Sequence, residues 1–365
     1  MKSSSGSYFV GLDHLRGLAA FTVFTWHFLH SIDGHPLPFA HPPNFFPLAV
    51  LDEGHVGVAL FMTLSGYLFA KLLDGSRFHY GWFLWNRLLR LAPLLLLVIA
   101  IDALRHRDSL ADTLETLASG FVLPVWPNGG WSIAIETQFY LVLPLILLLA
   151  ALRGWYPLLI VAAALGPRCV LFARLGQVQT LSHFTIVGRI DQFVFGIVFY
   201  GARRTLTGRH YVMTTAALLF TYGYYLFDKA GGFFLMPAYP SPSPVWIVLP
   251  TIEGAFFGAL IAFYDTSFSF ANRGVSWLLA RIGTYSYSIY LLHVFVVFDL
   301  AAFIGAHLVR IDTFYVGLAC SAGAFLLLLP FAAASYHFFE LPFLKFRRTY
   351  IKARIPQRSP VHQPG

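Results

Sequence analysis

The chain has 365 residues, of which 57% are hydrophobic and only 12% charged, with a mean hydropathy of +0.66. A soluble domain carries about 25% charged residues, so this composition excludes a soluble globular protein and makes lipid the solvent for much of the chain. The net charge of +8 falls in short clusters between apolar runs, which reads as charge held near anionic membrane lipid and not as a nucleic-acid-binding surface.

A membrane-spanning helix needs roughly 20 mostly apolar residues. In chain order, such runs fall near residues 9–30, 54–73, 88–104, 131–152, 155–173, 188–203, 211–227, 245–264, 282–305 and 313–337. They predict an all-α, polytopic membrane helix bundle with about ten transmembrane helices. The first run contains Arg16 and lacks a small-residue cleavage site, so it reads as a span and not as a cleaved signal. Between the third and fourth runs, Asp108, Asp112 and Glu115 alternate with Leu110, Leu114, Leu117 and Phe121 at helical spacing, which predicts an amphipathic helix at the outer interface. The Gly- and Pro-rich stretch Lys229–Pro244 reads as an outer loop.

Placing the N-terminus inside puts most Lys and Arg on the cytoplasmic side, including Arg87, Arg90, Arg203, Arg204, Arg209, Lys345, Arg347 and Arg348. Both termini are therefore expected in the cytoplasm. The pattern divides the chain into one membrane domain, residues 1–345, and a basic cytoplasmic tail, residues 346–365, expected to be disordered after Ile355. Cys169 and Cys320 stand far apart in apolar runs and read as inert thiols, with no disulfide or metal framework. No internal repeat is visible, which counts against a transporter built from repeated halves.

A charge at the centre of a span costs roughly 2.5–3.5 kcal/mol on insertion scales, yet several runs carry one: Arg16, Glu136, Asp191, Glu253 and Asp299, with His27 and His293 beside them. Arg16 and His27 are eleven residues apart, a rotation of about 1,100°, or roughly 20° past three full turns, so they share a helix face about 16 Å apart along the axis. Asp13 precedes Arg16 by three residues on the same face. A cation toward the cytoplasm and a titratable imidazole deeper in suggest a channel that holds an anion at one end and does chemistry at the other. Asp191, Glu253 and Asp299 read as polar packing or cavity residues.

Arg16, ten intervening residues and His27 resemble the signature of the acyltransferase family 3 membrane proteins, which modify bacterial surface sugars. Further segments are similar in the same order: Gly57 to Tyr67; Asn86-Arg87-Leu88-Leu89-Arg90-Leu91-Ala92-Pro93; Trp131-Ser132 through Glu136 to Phe139-Tyr140; and Ser286-Tyr287-Ser288-Ile289-Tyr290-Leu291-Leu292-His293. The chain departs from the family at His14, where a small residue is usual, and at Leu341 in Glu340-Leu341-Pro342, where arginine is frequent.

The resemblance implies a multi-pass protein of the bacterial inner membrane. It would transfer an acyl group, usually acetyl, from acyl-CoA to a hydroxyl of a cell-surface or lipid-linked carbohydrate. In that reading Arg87 and Arg90, at i and i+3, bind the phosphates of cytoplasmic coenzyme A, since guanidinium forks suit phosphate oxygens. His27 is the general base, or carries the acyl group covalently. Glu136 orients His27 or pairs with Arg16 or Arg189, and Arg16 binds coenzyme A or lines its path. Asp13, Ser286, Tyr287 and His293 line the site. The alternative reading is a transporter or flippase of a glycolipid or acylated sugar, which intramembrane charge fits equally well.

Overall fold

The computed structural model describes residues 9–30, 36–39 and 42–352. The tail beyond Lys352, including the stretch after Ile355, lies outside the described residues. In chain order the helices are α1 (Val10–Leu29), α2 (Ala49–Asp52), α3 (Val56–Leu73), α4 (Tyr80–His106), α5 (Leu110–Ser119), α6 (Trp131–Leu152), α7 (Leu158–Leu175), α8 (Gln179–Phe184), α9 (Ile186–Leu206), α10 (His210–Lys229), α11 (Gly232–Leu235), α12 (Val245–Ser267), α13 (Gly274–Thr284), α14 (Ser286–Leu292), α15 (Val297–His307), α16 (Phe314–Ser335) and α17 (Leu341–Leu344). Two short strands, β1 (Arg77–Phe78) and β2 (Ile351–Lys352), pair antiparallel.

Local chemistry sets several helix ends. The His79 side chain accepts from the Trp82 amide to start α4, and Thr185 and Thr313 cap α9 and α16 in the same way. Gly176, at φ 68°, ends α7 in the left-handed conformation. The segment expected as an interfacial helix forms α5, closed by a Ser109–Asp112 capping box and with none of its residues buried.

α9 is the hub and packs on α3, α6, α7 and α12, while α1 packs on α3, α13 and α16. Gly66 of α3 lies directly on the Phe193 backbone of α9, and Gly196 of α9 on the Thr63 backbone of α3, so a side chain at either would drive the helices apart. Close approach through small residues is how apolar helices gain contact in lipid, where hydrophobic burial offers little drive.

Five helices, α3, α6, α7, α12 and the run Phe314–Leu344, are long and apolar enough to cross a membrane, or six if the pair Ser286–Phe295 and Val297–His307, bent by 61°, counts as one. The protein is thus an all-α membrane protein. The helices α1, α4, α9 and α10 have comparable length but are interrupted by polar and charged residues.

Much of that charge is paired internally. Arg168, fully buried on α7, sends both terminal nitrogens to the Asp191 carboxylate at 2.9 Å and further N–H groups to the Val187 and Gly188 carbonyls. Arg189 donates to Glu253 at 3.1 Å and to the His183 carbonyl, while Gln192 and Tyr224 also donate to Glu253. Asp191 and Glu253 are therefore each paired with a buried arginine; Asp299 is exposed.

One end of the bundle gathers the start of α1, the ends of α3, α9 and α12, and the last described segment. Contacts across it include His14 to Ser276, Lys71 to Asp265, Tyr200 to Asp74, and β1 to β2. The opposite end joins His30 to Asp52 and the Glu53 carboxylate to the Phe233 amide. The stretch 346–352, read from sequence as tail, folds back onto the body: Tyr350 is buried, and Asn86 exchanges two hydrogen bonds with the Arg348 backbone at 2.7 and 2.9 Å.

Removing one partner of a buried ion pair costs about 3–5 kcal/mol, because the other charge is left uncompensated. Asp191→Ala is expected to lose about that much, read by unfolding in detergent, and the double variant Arg168→Met/Asp191→Leu to be distinctly more stable than the single one.

Candidate active site

A cavity of about 190 Å³ lies among α1, α3, α4, α6 and α14, toward the end of the bundle that carries the start of α1. Asp13 and Arg16 reach it from α1, Ser65 from α3, Arg87 and Arg90 from α4, Glu136 and Tyr140 from α6, Ser286, Tyr287 and Tyr290 from α14, and Arg347 from the segment after α17.

Four guanidinium groups therefore converge on one space. Arg16 is held by Asp13 at 2.6 Å. Arg90 stands 3.5 Å from the Glu340 carboxylate and over the Tyr287 ring, which also hydrogen-bonds the Leu91 carbonyl. Arg87 lies over the rings of Phe69 and Phe83 at 5.2 and 5.7 Å. The Nε–H groups of Arg87 and Arg347 are buried without a hydrogen-bond partner. Burial, and then the neighbouring Arg90 and Arg87 guanidiniums, push Arg347 down to about 9 from the ordinary arginine range, so at neutral pH it remains charged in a crowd of like charge. A buried cationic site with idle donors is matched to an anion with several oxygens, since charge-assisted hydrogen bonds from arginine are the strong ones.

Arg347 has no counterpart among the site residues expected from sequence, where it was part of a tail. Asn86 and the β1–β2 pairing bring it there from more than 250 residues away. The signal in the chain was Asn86 itself, an amide with no apolar reason to open a basic helix turn.

Glu136 accepts from Ser65 Oγ at 3.0 Å and from the Tyr140 hydroxyl. The expected pairings of Glu136 with His27, Arg16 or Arg189 are not made in the structure: Arg16 is bound to Asp13, Arg189 to Glu253, and the side chain bonded to His27 is His293. Arg16 and His27 do share a face of α1, yet only Arg16 lines the cavity; His27 lies beyond its far end. The wall there is formed by Phe61 and Tyr290, whose rings are 6.0 Å apart, and the Tyr290 hydroxyl is tied to Ser132 at 2.9 Å. The Tyr290 ring is 6.1 Å from that of His293, which is 5.0 Å from that of His27.

The bonds of His27 settle its proton positions. Its Nδ1 is 3.0 Å from the Val23 carbonyl, which can only accept, so Nδ1 carries a hydrogen and, in the neutral ring, Nε2 keeps its lone pair. No protein group bonds that Nε2 among the described residues. A neutral imidazole with a free Nε2 is the form a general base needs.

No curated protein and no solved structure matches the chain. A family described as an acyltransferase domain matches residues 9–335, which takes in Arg16, His27, Arg87, Arg90, Glu136 and the α14 segment; the chain belongs to acyltransferase family 3 and is a membrane acyltransferase.

Proposed function

We propose that the chain moves an acyl group, acetyl first among candidates, from cytoplasmic acyl-CoA to a hydroxyl of a cell-surface or lipid-linked carbohydrate in the bacterial inner membrane. The observation that carries this is the convergence of Arg16, Arg87, Arg90 and Arg347 on one cavity, with two idle Nε–H donors. Coenzyme A bears a diphosphate and a 3′-phosphate, and its size and charge call for several cations at one place.

In this reading the phosphates rest on Arg87, Arg90 and Arg347, and the arm bearing the thioester runs along α1 past Arg16 toward His27, about 16 Å deeper. Tyr290 and Phe61 close that route and turn aside when the donor binds. The acceptor hydroxyl comes from the other end of the bundle. His27 Nε2 takes its proton as the oxygen bonds to the thioester carbonyl carbon. The carbon–sulfur bond then breaks, and the departing thiolate takes the proton from His27. Glu136, held by Ser65 and Tyr140, balances the arginines and keeps Tyr140 against the cavity.

The topology belongs to the same proposal. The helices α1, α3, α4, α6, α7, α9, α10, α12 and α16, with the bent pair around His293, make about ten crossings. The loops that carry the basic residues meet at one end of the bundle, which supports cytoplasmic termini.

Two outcomes test this. With Cys169 and Cys320 replaced by serine, Arg209→Cys is expected to react with an impermeant maleimide in inverted membrane vesicles and not in intact spheroplasts; the reverse overturns the orientation. In purified protein, Arg87→Gln and Arg347→Gln are each expected to weaken coenzyme A binding by roughly 10-fold or more, as loss of a hydrogen bond between charged groups costs about 1.5–3 kcal/mol. His27→Ala is expected to leave that affinity unchanged and to abolish acetyl transfer to an extract of envelope glycans. Coenzyme A binding that ignores both arginines overturns the assignment of the cavity.

A further inference from the structure

We propose that His293 is the positioning residue for His27: it fixes the tautomer that leaves Nε2 free and takes up part of the positive charge when His27 holds the proton. This inference rests on the acyltransferase reading above.

The geometry is a short directional chain. Nδ1 of His293 faces two backbone carbonyls, Tyr290 at 2.7 Å and Ile289 at 3.1 Å. Carbonyls only accept, so this nitrogen carries the hydrogen and Nε2 of His293 is an acceptor. That acceptor stands 3.2 Å from Nδ1 of His27. The hydrogen on His27 Nδ1 is thus shared between the Val23 carbonyl and His293, and every donor in the chain points away from the reacting nitrogen.

Both carbonyls belong to the preceding turn of α14, where the Ile289 carbonyl also accepts the His293 amide. α14 ends at Leu292, His293–Phe295 tighten into a 3-10 turn, and the chain bends by 61° into α15. The ring itself is buried against Phe24 and Tyr290, so it cannot swing away.

The consequence for the reaction follows from where charge develops. When His27 Nε2 accepts the hydroxyl proton, the ring becomes an imidazolium and its Nδ1–H becomes a stronger donor. An acceptor aimed at that hydrogen lowers the barrier, and the two carbonyls behind His293 polarise it further. No atom is gained or lost: the proton leaves with the coenzyme A thiol, and the His27–His293 pair returns to its starting form. Glu136, bound to Ser65 and Tyr140, makes no contact with this pair.

The test compares His293→Leu with His293→Gln, whose amide oxygen stands near the place of the imidazole Nε2 and can still accept from His27. The probe is labelled acetyl-CoA with an extract of envelope glycans, and the readouts are kcat, KM for acetyl-CoA, and coenzyme A affinity measured by calorimetry. His293→Leu is expected to lower kcat by about 100-fold or more with KM and coenzyme A affinity unchanged, and His293→Gln to recover activity to within about 10-fold of the unaltered protein. A kcat for His293→Leu within twofold of the unaltered protein overturns the proposal. So does a glutamine variant as inactive as the leucine one while coenzyme A affinity is intact, and so does loss of that affinity in both, which marks a structural role. An unaltered protein that neither binds nor turns over acetyl-CoA overturns the proposed reading of the donor and its cavity, and the positioning role with it.

Discussion

The constraint from which the rest follows is that the bilayer core offers no water. Every polar group on a helix that faces it must find a partner inside the protein or cost several kcal/mol. The chain meets this in α7, α9 and α12, where Arg168 uses its donors on Asp191 and on two carbonyls, and Arg189 shares Glu253 with Gln192 and Tyr224. These pairs lock the hub helix α9 to its neighbours at a fixed register, and the glycine contact between α3 and α9 sets the distance.

Against that background the unpaired donors stand out. Arg87 and Arg347 keep a buried Nε–H idle in a protein that satisfies most others. A buried unpartnered donor is costly, and a cluster of like charge costs more, which is why the proposed reading gives this site an anion. The same cluster depends on a long-range clamp. Asn86 and the β1–β2 pair hold the segment after α17 against the start of α4, so the site closes only when segments more than 250 residues apart meet.

The distance between the arginines and His27 gives the site its logic. In the proposed reading, an anion held at one end of the bundle and a base one aromatic layer beyond the cavity separate donor binding from chemistry. Tyr290 occupies the boundary: it lines the cavity, is tied to Ser132, and lends its carbonyl to His293. One residue thereby touches both the arginine-lined cavity and the imidazole that faces His27.

Composition alone decided that this is a helical membrane protein, because apolar residues in runs of about twenty have no other stable home. Local spacing placed Asp13, Arg16 and His27 on one face of α1, and Arg87 and Arg90 on one turn of α4, since helical geometry is a property of a few consecutive residues. The capped amphipathic α5 was legible for the same reason. Tertiary structure alone decided what each charge is bound to. Glu136 could have served His27, Arg16 or Arg189, and it serves Ser65 and Tyr140; His293 looked like one more lining residue, and it faces His27; Arg347 looked like tail, and it completes the arginine cluster. Pairing of buried charge depends on which helices are neighbours and at what rotation. That arises from the packing of the whole bundle, and no local stretch of sequence contains it.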